Sequence, residues 1–143
     1  MNNDLRKTPP APLDPISFEI PKPFQTTLEN GLRLVIFEHE RLPLVSYRLV
    51  FQSGDVNDPA DTTGLTSAVT SLLTEGTADY TSLQLAEKTE RLGASISASS
   101  SDDFTIIAAS SLSLYSSDVL HLMAEVALRP TFPEEELDLY RRN

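Results

Sequence analysis

Gly64-Leu-Thr-Ser-Ala-Val-Thr-Ser-Leu-Leu-Thr-Glu75 is the stretch on which the fold turns. Leu65, Val69 and Leu72 recur at i, i+4 and i+7, with Ala68 and Leu73 beside them, the spacing of an amphipathic helix. At about 100° per residue, Ser67, Thr70, Ser71 and Thr74 share the opposite face. That face is made of small hydroxyls. A solvated helix face ordinarily carries Lys, Glu or Arg, yet no charge occurs from Gly64 to Thr74. The helix is therefore expected to be covered on both sides, by a sheet on one and by something else on the other. The plain alternative is a buried helix whose hydroxyls bond back to its own carbonyls.

Upstream, Gln25–Glu29, Asn30-Gly31 and Leu32–Glu38 spell two strands joined by an Asn-Gly turn, both residues of which tolerate φ > 0. Leu44–Phe51 is rich in β-branched and aromatic residues and predicts a third strand. Six prolines at 9, 10, 12, 15, 21 and 23 make residues 1–23 an extended, partly polyproline-like arm, with folding proper starting at Phe24. Downstream of the helix, a second one is expected over Ser82–Leu92, stopping at Gly93. Ser95–Ser101 alternates apolar and small polar residues, and Phe104–Ser110 completes an antiparallel pair with it. Ten serines fall between 95 and 117, but their alternation argues for ordered strands over low complexity. Val119, Leu122, Met123 and Val126 mark a third helix ending before Pro130, and Pro133-Glu-Glu-Glu starts a fourth with acids at its positive end. This order implies an α+β domain over residues 24–143, an antiparallel-rich sheet with helices packed on one face.

The 143 residues carry a net charge of −10. Residues 1–52 hold six acidic and six basic side chains and residues 53–143 hold fifteen and five, so a nucleic acid would meet repulsion over the second part. There is no cysteine, which removes disulfides, thiolate nucleophiles and every Cys-containing metal site. No apolar run approaches the roughly 18–20 residues of a membrane span, so no membrane partner is expected. The N-terminus lacks the basic start and continuous apolar segment of a signal peptide. If Met1 is native, that leaves a cytoplasmic location; if a signal has been removed, a periplasmic or secreted one.

The reactive inventory is thin. His39, between Glu38 and Glu40 at a strand end, points to the opposite face from both carboxylates and does not converge with them on a metal. His121 and Glu125 are i and i+4 on the third helix, away from its apolar stripe, and read as a surface pair. The five glycines match neither a dinucleotide fingerprint nor a P-loop, so no nucleotide cofactor is indicated. Asp55-x-Asn57-x-x-x-Asp61 departs from a calcium loop at Pro59 and at Thr66, where a bidentate Glu is needed.

Taken together, Leu28-Glu-Asn-Gly-Leu-Arg-Leu34, Ser53-Gly-Asp55, Gly64-Leu65 with Leu72-Leu-Thr-Glu-Gly-Thr77, Leu92-Gly-Ala94, Ala98, Leu128-Arg-Pro130 and Phe132-Pro-Glu-Glu-Glu-Leu137 resemble the N-terminal half-domain of the pitrilysin/insulinase family of zinc peptidases, which includes the mitochondrial processing peptidases. The resemblance runs from Leu28 to Tyr140. Active members carry His-x-x-Glu-His on this helix, and those three positions fall on Ser67, Thr70 and Ser71. The chemistry needs two imidazoles on adjacent turns to hold Zn²⁺ and a carboxylate to take a proton from the bound water. Serine and threonine hydroxyls supply neither, so no metal, no cofactor and no catalytic residue is expected. The resemblance places the family's third ligand, a glutamate, beyond Asn143.

The resemblance thus implies a non-catalytic half-domain that partners an active zinc-peptidase subunit or second half-domain, walling a chamber and contributing to peptide binding. Family peptidases add substrate as a strand to a sheet edge. The matching strand here is Ser95–Ser101, which makes Ser95, Ser97, Ala98 and Ser99 candidate substrate contacts. Two alternatives stand beside this: a metallopeptidase with a displaced site built on His39, His121 or residues outside the chain, and a free-standing peptide binder using a sheet edge.

Overall fold

The computed structural model describes residues 19–142; the proline-rich arm expected over 1–23 lies outside those residues as far as position 18. The chain divides between Glu40 and Arg41 into two compact units. The first holds the hairpin of β1 (Phe24–Thr27) and β2 (Arg33–Ile36), antiparallel with Thr27 opposite Arg33. Its turn differs from the two-residue form expected. Gly31 alone takes positive φ, at 85°, and its amide donates to the Leu28 carbonyl at 2.9 Å. The Leu28 amide donates to the Leu32 carbonyl at 2.9 Å, so the connection is the three-residue loop in which glycine supplies a bulge. Asn30 stays right-handed because its side-chain oxygen accepts from the Leu32 amide at 3.1 Å, closing the turn without a strained backbone.

The second unit contains a three-stranded antiparallel sheet in the order β3 (Leu44–Phe51), β5 (Thr105–Leu112), β4 (Ser95–Ser100). The register sets Tyr47, Ala109 and Ile96 side by side, and next to them Leu49, Ile107 and Ala98. Because side chains alternate, these six share one face, while Leu44, Val50, Ser97 and Ser99 lie on the other and are exposed. Among the described residues, two α-helices stand between β3 and β4, α1 (Leu65–Leu72) and α2 (Ser82–Arg91), and two follow β5, α3 (Ser116–Leu128) and α4 (Glu134–Arg142). Helix α3 lays Val119, Leu122, Met123 and Val126 against Ile107 and Ala109 of β5, and Leu85 of α2 and Leu73 complete the core. The fold is α+β, with its helices gathered on one face of an antiparallel sheet. None of the helices among the described residues is long and apolar enough to cross a membrane.

Helix α1 departs from the expected phase. Leu72 is buried at 5% exposure, but Leu65 and Val69, expected beside it in the core, are 46% and 39% exposed. Thr70 is buried instead, and Ser67 faces β4. The apolar stripe is covered only towards its C-terminal end, where the chain turns into the core at Leu73. The hydroxyl-bearing side packs against the edge strand.

Candidate functional site

Helix α1 begins at Gly64, whose φ of 90° breaks the incoming chain and which has no side chain to cap the helix. Asp58 takes that role from six residues upstream. Its carboxylate accepts from the Gly64 amide at 2.7 Å, the Thr66 amide at 3.0 Å and the Thr66 hydroxyl at 2.5 Å. The Thr66 hydroxyl, with help from these amides, holds the Asp58 carboxyl below the usual carboxylate range, against an opposing effect of burial. Four residues before it, Gly54 is packed so closely that a Cβ there would sit 2.2 Å from the Ser101 carbonyl oxygen. That approach lets the Asp55 and Val56 amides donate to the Ser101 and Asp102 carbonyls, both at 3.0 Å, and docks the 3₁₀ turn Asp55–Asn57 on the β4–β5 connection.

The docked turn delivers the Asp55 carboxylate to α1. Ser67 donates towards it at 3.3 Å and lies 3.3 Å from the Ser100 hydroxyl of β4. Thr70 donates to the Thr66 carbonyl at 2.7 Å and Ser71 to the Ser67 carbonyl at 2.9 Å. The hydroxyls at 70 and 71 are thus satisfied within the helix, and the one at 67 joins the helix to the edge strand. On its other side β4 pairs with β5, and no further strand flanks it among the described residues. Ser95, Ser97 and Ser99 are exposed along it and Ala98 points to the core side.

Neither histidine joins this cluster. His121 is exposed on α3, and no group of three or more His, Asp or Glu able to hold a metal occurs among the described residues. The expected surface pair of His121 and Glu125 is not formed. Glu125 is 5% exposed and accepts from Arg129 at 2.9 Å, while Arg129 also grips Asp79 at 2.7 and 3.1 Å. Glu125 turns inward because this forked partner, one turn on, lies over the loop that carries Asp79. Sequence reasoning missed Asp58, which lies too far upstream of the helix for a local cap pattern. It also missed Glu75 at the end of α1, which burial and the neighbouring Glu136 push above the usual carboxylate range.

Residues 34–143 match the model of the insulinase family, peptidase family M16. The chain belongs to that family. It is 23% identical over 111 residues to an uncharacterized zinc protease of Bacillus subtilis, and 26% identical over 137 residues to the alpha subunit of the mitochondrial-processing peptidase of Solanum tuberosum. Those matches cover 78% and 94% of this chain but 27% and 26% of the relatives, so the chain spans about a quarter of their length. Among solved structures, an M16 peptidase inactive domain from Pseudomonas fluorescens superposes with a TM-score of 0.79 at 27% identity, covering 84% of this chain and 29% of that one. A protease from Helicobacter pylori superposes with a TM-score of 0.77 at 22% identity over 87% of this chain and 30% of its own, a likeness of fold. Zinc, which the M16 family implies, does not fit the residues present at the helix. Three neutral hydroxyls, two of them already donating to backbone carbonyls, offer neither nitrogen ligands nor a base.

Proposed function

We propose that this M16 domain is the non-catalytic half of a metallopeptidase, acting as partner or chamber wall for a zinc-bearing half and offering the β4 edge to an extended peptide. The observation that carries the reading is the hydroxyl set at Ser67, Thr70 and Ser71 on the helix where the resemblance places the zinc ligands and base. Without imidazole and carboxylate there is no metal-bound water to deprotonate, and the neutral triad cannot replace it. Main-chain pairing to a strand edge needs no such groups, so peptide binding outlasts the loss of chemistry. Support comes from the neighbour described as an inactive M16 domain and from the relative named as one subunit of a processing peptidase. The small side chains Ser95, Ser97, Ala98 and Ser99 leave the edge open, where a protected edge would bear Lys, Pro or a bulge.

The purified chain is expected to hold no stoichiometric zinc by elemental analysis and to cleave no peptide, yet to bind an extended fluorescent peptide. Proline substitutions at two adjacent positions locate the contact. Backbone amides alternate between the two sides of an antiparallel strand, so of Ala98→Pro and Ser99→Pro one breaks the β5 ladder and the other blocks only the free edge. The variant that keeps its native circular dichroism should lose peptide binding. One chelator-sensitive zinc per chain together with peptide cleavage overturns the inactive reading, and full peptide binding by the folded proline variant overturns the edge.

A further inference from the structure

Helix α4 is attached unlike the other three. It buries none of its residues, and Leu137 is only partly covered. The segment before it is pinned firmly: Thr77 bridges Pro130, and the Thr131 amide donates to the Gly76 carbonyl at 3.1 Å. Gly76 is met so closely that a Cβ there would lie 3.1 Å from both the Pro133 ring and the Thr131 hydroxyl. Between this pin and the helix stands Phe132, the one non-glycine residue with positive φ among those described, at 49°. That left-handed conformation is strained for a bulky residue and makes a sharp elbow. One turn into the helix, Ser82 of α2 donates to the Glu136 carboxylate at 3.2 Å.

A cavity of about 380 Å³ opens at this point, with Glu75, from the end of α1, lining it together with Glu135 and Glu136 of α4. Asp79 also lines it, but Arg129 holds that carboxylate. On its other side Glu75 faces a second cavity of about 330 Å³, shared with Glu90 of α2. No Lys, Arg or His lines either space among the described residues. The charged side chains that line these spaces with Glu75 are Asp79, Glu90, Glu135 and Glu136, all acidic, while Lys88 of α2 sits over the ring of Tyr80, which also lines the first cavity.

We propose that α4 is an acid-strengthened latch, hinged at Phe132 and gated by the carboxylates of Glu75 and Glu136 across their shared cavity. With both ionised, repulsion in a partly dry space opposes docking of the helix. Once either carries a proton, the repulsion across the cavity is relieved. The upward displacement of the Glu75 carboxyl agrees with this sign. A carboxyl whose value is raised when docked binds protons more tightly in that state, so the strengthening of docking is fully present below the undocked value and is lost as pH rises through the raised one. The inference is independent of whether the domain binds peptides.

Hydrogen exchange followed by mass spectrometry on the whole chain, corrected for intrinsic exchange rates, reads the latch directly. Amides of residues 134–142 should be several-fold better protected at about pH 4.5 than at about pH 7.5, with α3 as the unresponsive control. Glu75→Gln and Glu136→Gln, made separately in case one disturbs folding, should each raise α4 protection at the higher pH and flatten its pH response. Asp138→Asn on the same helix should keep the wild-type response. Equal α4 protection at the two pH values in the wild type overturns the latch, as does a wild-type response in both glutamine variants.

Discussion

Helices α1 and α3 pack against neighbouring strands of one sheet, yet they do so with opposite chemistry. Helix α3 sets fully buried Val119 and Val126, with Leu122 and Met123, against β5. Helix α1 sets Ser67 against Ser100 of β4, buries Thr70, and leaves Leu65 and Val69 outside. The first contact is a dry apolar interface of the kind that carries most folding free energy. The second is joined by the hydroxyl contact of Ser67 with Ser100, and a hydrogen bond of that kind is worth only about 0.5–1.5 kcal/mol net. In an M16 domain the α1 side is where the ligand-bearing face would be. Its burial therefore does not measure its share of stability.

The largest expected effect breaks the α3 side. Leu122 is nearly inaccessible, so Leu122→Ala removes a large side chain from a core that can relax only in part, and should cost about 2–5 kcal/mol in urea denaturation. A cost below 1 kcal/mol, on the scale of one hydrogen bond, would remove the contrast between the two helices.

A smaller effect sharpens the α1 side. Asp58 caps the helix through three hydrogen bonds, and its carboxyl titrates below the ordinary range. A depressed carboxyl contributes stability that is present above its unfolded value, about pH 4, and is lost as pH falls through the folded value. Asp58→Asn should therefore be less stable than wild type at neutral pH, and the gap between the two should close below about pH 4. A gap unchanged down to pH 2 would mean that the carboxylate does not cap α1.

Most of the architecture could be read from the residues because periodicity reports burial wherever burial is apolar. Leu44–Phe51 and the Val119/Leu122/Met123/Val126 stripe are plain cases, with strand and helix found where alternation and the i, i+3, i+4 pattern put them. Glu125 was opaque because its partner Arg129 is held by a forked ion pair to Asp79, on a loop 50 residues away in sequence. The hydroxyl face of α1 was legible as residue types, and the resemblance assigns Ser67, Thr70 and Ser71 of it to the ligand positions proposed above. The packing phase of α1 was not, because the rule that apolar residues turn inward presumes that the sheet contact is the apolar one. Here the strand facing the helix is Ser100 and its neighbours, and hydroxyl meets hydroxyl.

The smallest predicted effect turns that misreading into a test. Were Leu65, Val69 and Leu72 one buried stripe, Val69→Asp would place an unpaired charge in the core and cost several kcal/mol. The structure leaves Val69 39% exposed, in the middle of a helix where Asp and Val have similar propensity. The substitution should then change stability by no more than about 0.5 kcal/mol, with any loss coming from the nearby carboxylates Asp55 and Asp58 and shrinking as salt is added. Leu73→Ala, one turn on and part of the buried core, supplies the internal contrast at about 2–5 kcal/mol. If Val69→Asp matched Leu73→Ala in cost, the outward side of α1 would have to be covered in the folded chain, and the hydroxyl side would no longer be the one that meets β4. If the two differ as expected, an apolar strip is left on the outward side of α1, free of any folding role, and its retention would then have to be explained by something other than the stability of this domain.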